Sequence, residues 1–427
     1  MNINNLIKII FLMILSTEIG QSLIPVERYA QSSVLVDKRI YFFGGESYHS
    51  PKNSSTLDQI LYLDVSKPFN TVNPPFEEII NVPIPFGSSF ATAFLSPQKN
   101  VIYLFGGTMV DTNTKNPSQE FYKQVLHSYN LETREWTIPT TNDEVARKER
   151  INGVINKETG KFYVFSGLER TPDQILFYTS IMIVFDTISL TWSTGSTINA
   201  PSPRLSYTAT LLSNGIIVFI GGIETNDVDI NQLALYDTKV NKWSLMTARG
   251  VTLENRNSHS AVLTPDERII IFGGIKGGSN EPVLNQLAVL NTKTTPYEWS
   301  IPQVSAIGNK PLTTYAHSAT LVDNYMFINF GTITNYSETQ LLPFFYILDI
   351  RNFTWVTQFE PEELPTNSTN SPDLPVEKSD NGKQIGIILG TVGLSVGVGT
   401  VVGLLGYKYY KKQKYKRAIP TSGSPIN

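Results

Sequence analysis

The sequence of 427 residues contains no cysteine, and this absence removes several kinds of chemistry at once. A chain without cysteine has no disulfide framework, thiol nucleophile, zinc–thiolate centre or iron–sulfur cluster. Charged residues are also scarce, at 17% against about 25% in ordinary soluble proteins. Aromatic residues reach 11%, and this composition disfavours wholesale disorder and favours strands.

Positive charge is lacking over most of the chain. The formal net charge is -3, and six cations lie between Lys408 and Arg417, so the rest of the chain carries -3 - 6 = -9. An acidic body of this kind argues against nucleic-acid binding, which needs a clustered basic surface.

Two apolar segments at the ends of the chain predict where the protein resides. Residues 1–22 place Lys8 before a short apolar run and end in small residues, which is typical of a secretory signal peptide cleaved near Ser22. A buried strand or an uncleaved signal anchor is the alternative for this segment. Residues 385–407 carry no charge and are long enough to cross a bilayer as one transmembrane α-helix. The cations that follow predict a single-pass type I protein of the plasma membrane, with residues 408–427 as a basic cytoplasmic tail.

Glycine is frequent in the predicted transmembrane helix, and Gly386, Gly390, Gly393 and Gly397 share one face. A face of small residues permits two helices to approach closely, which suggests a homodimer. The simpler interpretation is that glycine is tolerated in membrane helices. Residues 360–384 are rich in Pro, Ser, Thr and Asn, and they predict a flexible stalk between the body and the membrane.

The body of the chain, residues 23–359, repeats one unit six times. In each unit an apolar strand ends in a glycine pair, and successive pairs are 52 to 62 residues apart. A period near this size is the signature of a solenoid or a propeller. The marker glycines are Gly44, Gly45, Gly106, Gly107, Gly167, Gly221, Gly222, Gly273, Gly274 and Gly331. Ser166 and Thr332 interrupt the pair in the third and sixth units.

Further markers recur in the same order within each unit. A strand upstream of the pair holds Tyr207, His259 or His317, each 14 residues before its pair. A strand downstream ends in an Asp or Asn that can hydrogen-bond the backbone two residues on and start a tight turn. These residues are Asp64, Asn130, Asp186, Asp237, Asn291 and Asp349. The tryptophans follow this turn, at Trp136, Trp192, Trp243, Trp299 and Trp355, and in the first unit Phe69 or Phe76 is expected to take the place of tryptophan.

This set of markers resembles the kelch repeat. The resemblance covers residues 23–359 and implies an all-β fold, a six-bladed kelch-type β-propeller in which each blade is a four-stranded sheet. One blade alone buries too little apolar surface, whereas neighbours packed face to face supply a continuous core. The departures from the pattern predict looser packing in blades 1, 3 and 6. No strand is evident that would clasp the ring, although residues 23–27 are a candidate to pair with the last blade.

Little in the sequence predicts catalysis. The resemblance extends to galactose oxidase-like enzymes, whose copper centre includes a tyrosine crosslinked to cysteine, and that crosslink cannot form here. His259 and His317 occupy one repeat position, and His49 and His127 are isolated, so the histidines predict no metal site. We expect a protein that is not an enzyme and holds no cofactor. A membrane-tethered enzyme of the carbohydrate oxidase type is the alternative hypothesis.

Four sequons suit a secreted chain, at Asn53, Asn335, Asn352 and Asn367. They fall in predicted loops, in the turn before Trp355, or in the stalk, so all four are candidate N-glycosylation sites.

Long links join the second and third strands of the first three units, at residues 46–59, 108–124 and 168–180. In a four-stranded meander they open on the same face as the connections between blades. Long loops on a rigid scaffold are where binding concentrates. The sequence therefore predicts a cell-surface module that recognises protein or glycan through this face. A sorting or signalling role for the tyrosines of the tail is a third hypothesis.

Overall fold

The computed structural model describes residues 23–362 apart from 51–52, 81, 111–123, 171–175, 278–280, 309 and 334–344. These residues belong to the first of two compact units, Met1–Glu362 and Glu363–Asn427. The predicted signal peptide, transmembrane helix and tail, and nearly all of the predicted stalk, lie outside the described residues. Within the described part, no helix has the length and apolar character needed to cross a membrane.

The strands form six sheets, one for each repeat, and each sheet has four principal strands. Each sheet is one blade. Blade 1 contains β1 (Ser32–Val36), β2 (Arg39–Phe43), β3 (Glu46–Ser50), β4 (Asn53–Thr56), β5 (Ile60–Asp64), β6 (Phe69–Asn70) and β7 (Phe76–Glu78). Blade 2 contains β8 (Gly87–Ser89), β9 (Thr92–Leu95), β10 (Val101–Phe105), β11 (Thr108–Val110), β12 (Leu126–Asn130) and β13 (Trp136–Thr137). Blade 3 contains β14 (Lys148–Glu149), β15 (Val154–Asn156), β16 (Lys161–Phe165), β17 (Leu168–Arg170), β18 (Leu176–Tyr178), β19 (Met182–Asp186) and β20 (Thr191–Thr194).

The second half of the ring follows the same plan. Blade 4 contains β21 (Thr208–Leu211), β22 (Ile216–Ile220), β23 (Gln232–Asp237) and β24 (Lys242–Thr247). Blade 5 contains β25 (Arg249–Gly250), β26 (Ser260–Leu263), β27 (Arg268–Phe272), β28 (Ile275–Lys276), β29 (Glu281–Pro282), β30 (Leu287–Asn291) and β31 (Glu298–Ser300). Blade 6 contains β32 (Ser305–Ala306), β33 (Thr314–Tyr315), β34 (Ser318–Val322), β35 (Tyr325–Asn329), β36 (Thr332–Ile333), β37 (Phe345–Asp349) and β38 (Thr354–Val356), and β39 (Gln358–Phe359) follows it.

The principal strands of each blade pair in sequence order, as in β21-β22-β23-β24 of blade 4. The first of them lies at the centre of the ring. β1 contacts β9, β9 contacts β15, β15 contacts β21, β21 contacts β26, β26 contacts β34, and β34 contacts β1 again. This cycle closes a ring of six blades, which is the propeller that the kelch resemblance implies.

The core consists of apolar side chains on both faces of the middle strands. In β27, Ile269 and Ile271 pack against blade 4, whereas Ile270 and Phe272 pack against blade 6. A strand that is buried on both faces becomes a continuous apolar run instead of an alternating one. Six clusters of this kind fill the six interfaces between neighbouring blades, so each blade is stabilised by both of its neighbours.

The outer tryptophans pack between blades. Trp299, which is 1% exposed, lies in the cluster shared by blades 4 and 5. In the first blade Phe76 takes the tryptophan position, because it pairs with Leu63 just as Trp355 pairs with Leu348. Phe69 is not the substitute, since it lies in β6.

The glycine pair lets the backbone of one blade approach the next. Gly45 donates its N–H to the carbonyl of Ser88 at 2.7 Å, and the preceding Gly44 has a φ of +61°. A Cβ at Gly44 would lie 2.0 Å from that carbonyl oxygen, so a side chain has no room. Phe330, with a φ of +56°, takes this conformation in blade 6. The backbone N–H of the next residue, Gly331, donates to the carbonyl of Arg28, which precedes the first strand of blade 1. The sixth pair is therefore Phe330–Gly331, and the predicted pair Gly331–Thr332 is one residue out of register.

The predicted Asx turns are present in every blade. The Oδ1 atom of Asp186 accepts hydrogen bonds from the N–H groups of Ile188 and Ser189, at 2.9 and 3.1 Å. The bond to the residue two positions on recurs at Asp64, Asn130, Asp237, Asn291 and Asp349.

The ring closes without an exchanged strand. Residues 23–27, the candidate clasp, form no strand, and the principal strands of blade 6 all come from residues 318–356. Instead, β39 leaves blade 6 and pairs with β6 of blade 1. Phe359 is fully buried in the apolar cluster that the two blades share. An ion pair between Lys38 Nζ and Asp323 Oδ1, at 3.1 Å, spans the same junction.

Candidate functional site

An open cavity of about 660 Å³, here termed the funnel, lies at the centre of one face of the ring. Its wall combines residues that follow the glycine pairs, such as Glu46 and Leu168, with residues that lead into the first strands, such as Leu205. The long links predicted at this face therefore begin at the funnel. Two of these links fold into hairpins, β3–β4 and β17–β18, and residues 111–123 of the remaining link lie outside the described residues.

The floor of the funnel is a ring of backbone hydrogen bonds, here termed the backbone circle. Its members share a φ between +52° and +56°, and they are Ala30, Phe90, Arg150, Ser206, Ser258 and Ala316. The N–H of each donates to the carbonyl of the equivalent residue in the preceding blade, at 2.8 to 3.1 Å. Ala30 donates to Ala316, so the series is closed. In five of the six blades the residue before this position lines the funnel, and in all six the residue after it lines a polar central channel of about 280 Å³. The circle therefore separates the two cavities.

Side chains differ around the circle although the backbone does not. Blades 2 and 3 contribute Phe90 and Arg150, whereas the other blades contribute alanine or serine. Arg150 is exposed, and its guanidinium carbon lies 4.7 Å from the centroid of the Phe90 ring, a cation–π geometry. Among the described residues, no carboxylate lies within 4.0 Å of the Arg150 guanidinium. Its charge is thus available to a ligand.

Two carboxylates on the funnel wall are occupied by contacts within the protein. Glu46 accepts hydrogen bonds from the hydroxyl of Tyr29 and from Ser89 Oγ, the latter at 2.9 Å. Glu149 lies beside Arg147, with 3.7 Å between Oε1 and the guanidinium nitrogen. These carboxylates therefore do not neutralise Arg150.

Buried cations lie two residues before the circle in four blades, at Arg28, Lys148, Arg204 and Arg256. Lys148 pairs with Glu169, and Arg204 pairs with Glu224. Arg28 and Arg256 reach no carboxylate among the described residues. Burial lowers the pKa of each of these two to about 10, which still leaves it protonated at neutral pH. The charges of Glu78 and Glu254 oppose this effect at Arg28 and Arg256 respectively, but burial outweighs them.

Two of the histidines belong to the packing between blades. His259 Nε2 lies 3.0 Å from Thr208 Oγ1, and His317 Nε2 lies 2.8 Å from Ser260 Oγ, each across a blade interface. Burial lowers the pKa of His317 to about 3 and that of His127 to about 4. His49 lies in β3. No group of three or more potential metal ligands occurs among the described residues.

The four predicted sequons lie in different kinds of structure, and two of them lie outside the described residues. Asn352 is exposed in the turn before Trp355, and its Oδ1 accepts from the N–H of Thr354 at 3.1 Å. Asn53 begins strand β4, where a loop was expected. Asn335 and Asn367 lie outside the described residues. N-glycosylation at these positions stays a prediction.

Sequence reasoning missed the circle and Arg150. The circle has a signal, because its members directly precede the repeat position of Tyr207, His259 and His317. Arg150 has no motif of its own, and its role arises from the position that the fold gives it.

Six blades that share an Asx turn, a glycine pair in four of them and an outer tryptophan in five define the class of kelch-type β-propellers. The funnel that they enclose has the form of a binding site, with an exposed cation at its floor.

Comparison with known proteins agrees with this class. The chain belongs to the KLHDC2/KLHL20/DRC7 Kelch-repeats domain family, whose model matches residues 90–331 and 206–374. It is 28% identical over 275 residues to Kelch domain-containing protein 3 of Rattus norvegicus, covering 59% of this chain and 65% of that protein. It is 24% identical over 307 residues to Host cell factor of Drosophila melanogaster, covering 64% of this chain and 18% of that protein.

The family bears out two of the predictions from sequence. The kelch propeller is confirmed, and the likeness to kelch-repeat proteins bears out a protein-binding module that is not an enzyme. The chain spans 65% of the length of Kelch domain-containing protein 3, so the partner and the cellular setting are matters for proposal.

Proposed function

We propose that this chain is a recognition protein whose funnel binds another protein, and that the partner places an acidic group against Arg150. The observation that carries the proposal is the exposed guanidinium of Arg150, stacked on Phe90 with no carboxylate in ion-pair range among the described residues. Membership of the kelch-repeat family supports a protein as partner. A glycan, the other ligand class predicted from the sequence, gains no support from the comparisons.

The cellular setting proposed for the propeller is the outer surface of the plasma membrane, in a single-pass type I protein. The support is in the sequence: a signal-peptide pattern over residues 1–22, an uncharged segment over 385–407, and the cations that follow it. A partner would then be a secreted protein or one on a neighbouring surface.

Photo-crosslinking tests the funnel as the binding site. A p-benzoylphenylalanine in place of Leu176, which is 49% exposed at the funnel, should capture a partner on living cells. The same group in place of Val240, which is 57% exposed in the turn on the opposite face, is the matched control. The adduct from position 176 should disappear in Arg150→Ala and persist in part in Arg150→Lys.

Arg150→Ala should not disturb the fold, because Ala30 and Ala316 already occupy the circle with a φ of +55° and +52°. Equal adducts from positions 176 and 240, or an adduct that survives Arg150→Ala unchanged, would contradict the proposal.

Protease added to unbroken cells tests the location. Under the proposed topology it degrades residues 23–362 and leaves an epitope within 408–427 intact. Protection of the propeller until the cells are permeabilised would contradict a cell-surface location without affecting the funnel hypothesis.

A further inference from the structure

We propose that Tyr29, held in place by Glu46, is a positioning residue that sets the orientation of Arg150 through Phe90. This inference rests on the proposed role of the funnel, and it names how the recognition group of that site is fixed. It spans blades 1, 2 and 3.

The first contact is between Arg150 and Phe90. The guanidinium carbon of Arg150 lies 4.7 Å from the centroid of the Phe90 ring. The backbone N–H of Arg150 also donates to the backbone carbonyl of Phe90 at 3.1 Å. An exposed arginine loses side-chain entropy when it is confined to one orientation. The face of an aromatic ring offsets part of that cost by cation–π attraction, so the direction of the ring sets the direction of the guanidinium.

The second contact fixes that ring. Tyr29 meets Phe90 edge to face, with 6.1 Å between the ring centroids and an angle of 74° between the planes. Edge-to-face packing is a preferred aromatic geometry, and it restricts rotation of the Phe90 side chain. The two aromatic side chains lie on the funnel wall and floor.

The third contact fixes Tyr29. Its hydroxyl donates to Glu46, and the two residues also exchange backbone hydrogen bonds of 2.8 and 3.0 Å. The other carboxylate oxygen of Glu46 accepts from Ser89 Oγ at 2.9 Å. Because Ser89 directly precedes Phe90, Glu46 links blades 1 and 2 next to the Phe90 side chain, on which the Arg150 guanidinium is stacked. A charge-assisted bond of this kind is stronger than a neutral one.

The opposite side of the funnel lacks this arrangement and supplies a matched control. Tyr315 precedes the circle in blade 6 just as Tyr29 precedes it in blade 1, and both line the funnel. The circle residue of the blade after Tyr29 is Phe90, whereas that of the blade after Tyr315 is Ala30. Substitution of Tyr315 should therefore leave Arg150 unaffected.

Reactivity of Arg150 towards phenylglyoxal, measured by peptide mass spectrometry on the full-length chain, tests the inference without a ligand. Tyr29→Leu should speed modification of Arg150 by about two- to fivefold, the factor that loss of an exposed cation–π contact implies. Phe90→Leu should do the same, and Tyr29→Phe and Glu46→Gln should have smaller effects in the same direction. Tyr315→Leu should have no effect, and Arg249, which pairs with Glu298 away from the funnel, serves as the internal reference.

Crosslinking from position 176 separates this inference from the proposed function. Tyr29→Leu should lower the adduct yield in the wild-type background and have no further effect in Arg150→Ala. A further loss there would mean that Tyr29 contacts the partner directly and would overturn the positioning role. Equal phenylglyoxal rates at Arg150 in the wild type and Tyr29→Leu would also overturn it. If Tyr29→Leu alters the phenylglyoxal rate of Arg150 but the crosslinked adduct from position 176 is unchanged in Arg150→Ala, the positioning role stands and the proposed function is rejected.

Discussion

Lowering the pH from 7.5 to 5.5 should destabilise the propeller through its buried histidines. His259 and His317 each meet a hydroxyl of the preceding blade, and His127 lies against Phe86 with 4.3 Å between the ring centroids. Burial lowers the pKa of His317 to about 3 and of His127 to about 4, and holds the pKa of His259 well below its usual value. All three are therefore neutral in the folded chain, and they protonate near pH 6.5 once it unfolds.

The sign of the effect follows from the lowered pKa values. Because the unfolded state binds these protons more readily, stability is fully present above about pH 6.5 and is lost as the pH falls towards the folded values. At pH 5.5, His317 and His127 each lower the free energy of unfolding by about 1.4 kcal/mol, and His259 acts in the same direction. Together His317 and His127 amount to about 3 kcal/mol, a large part of the 5–15 kcal/mol that is typical of folded domains.

The variant His317→Gln isolates one of these contributions. Gln31 occupies the equivalent position in blade 1 and donates to Ser318 Oγ at 3.1 Å, so glutamine can keep an inter-blade hydrogen bond without binding a proton. Urea denaturation of the full-length chain at both pH values gives the measurement. Between pH 7.5 and 5.5 the wild type should lose about 1.4 kcal/mol more than the variant. Equal losses in the two proteins would refute the neutral state assigned to His317.

Three further substitutions test the fold. Gly106→Ala should lower the free energy of unfolding by more than about 2 kcal/mol in urea titrations, because a Cβ would lie 2.3 Å from the Lys148 carbonyl oxygen at a φ of +68°. Glu169→Gln should cost about 3–5 kcal/mol because it leaves the buried Lys148 unpaired, and adding Lys148→Met should recover most of the loss in the same titrations. Phe359→Ala should cost about 3–5 kcal/mol and speed proteolysis at β6, whereas unchanged proteolysis would contradict closure through β39.

The repeated features could be predicted from sequence because the same physical requirement recurs in each blade. A strand pressed between two neighbours must be apolar on both faces, so Ile269 to Phe272 form an uninterrupted apolar run. A tight turn needs an oxygen beside its own backbone, so Asp186 and its equivalents stand at the strand ends. Six occurrences of each pattern distinguish it from chance.

Prediction from the repeat pattern was wrong where one blade satisfies the same backbone requirement with a different residue. Phe330 takes the left-handed backbone conformation that glycine holds in most other blades. Because Gly331 follows it, the sequence pattern placed the pair at Gly331–Thr332, one residue too late. Closure of the ring was also beyond the sequence, because β6 and β39 are two residues long and pair across almost the whole length of the described chain. Pairing of such short and distant segments leaves no periodic pattern.

The funnel could not be predicted, because its distinguishing residues are those that do not repeat. The backbone circle holds each member in the left-handed region, at a cost of about 1–2 kcal/mol for a residue with a side chain. That cost is offset by hydrogen bonds between main-chain atoms, so the fold places no demand on the side chain at these positions. Alanine, serine, phenylalanine and arginine all satisfy it. Side chains there are consequently free to serve recognition, and a substitution such as Arg150→Ala should change what the funnel binds while the propeller keeps its stability.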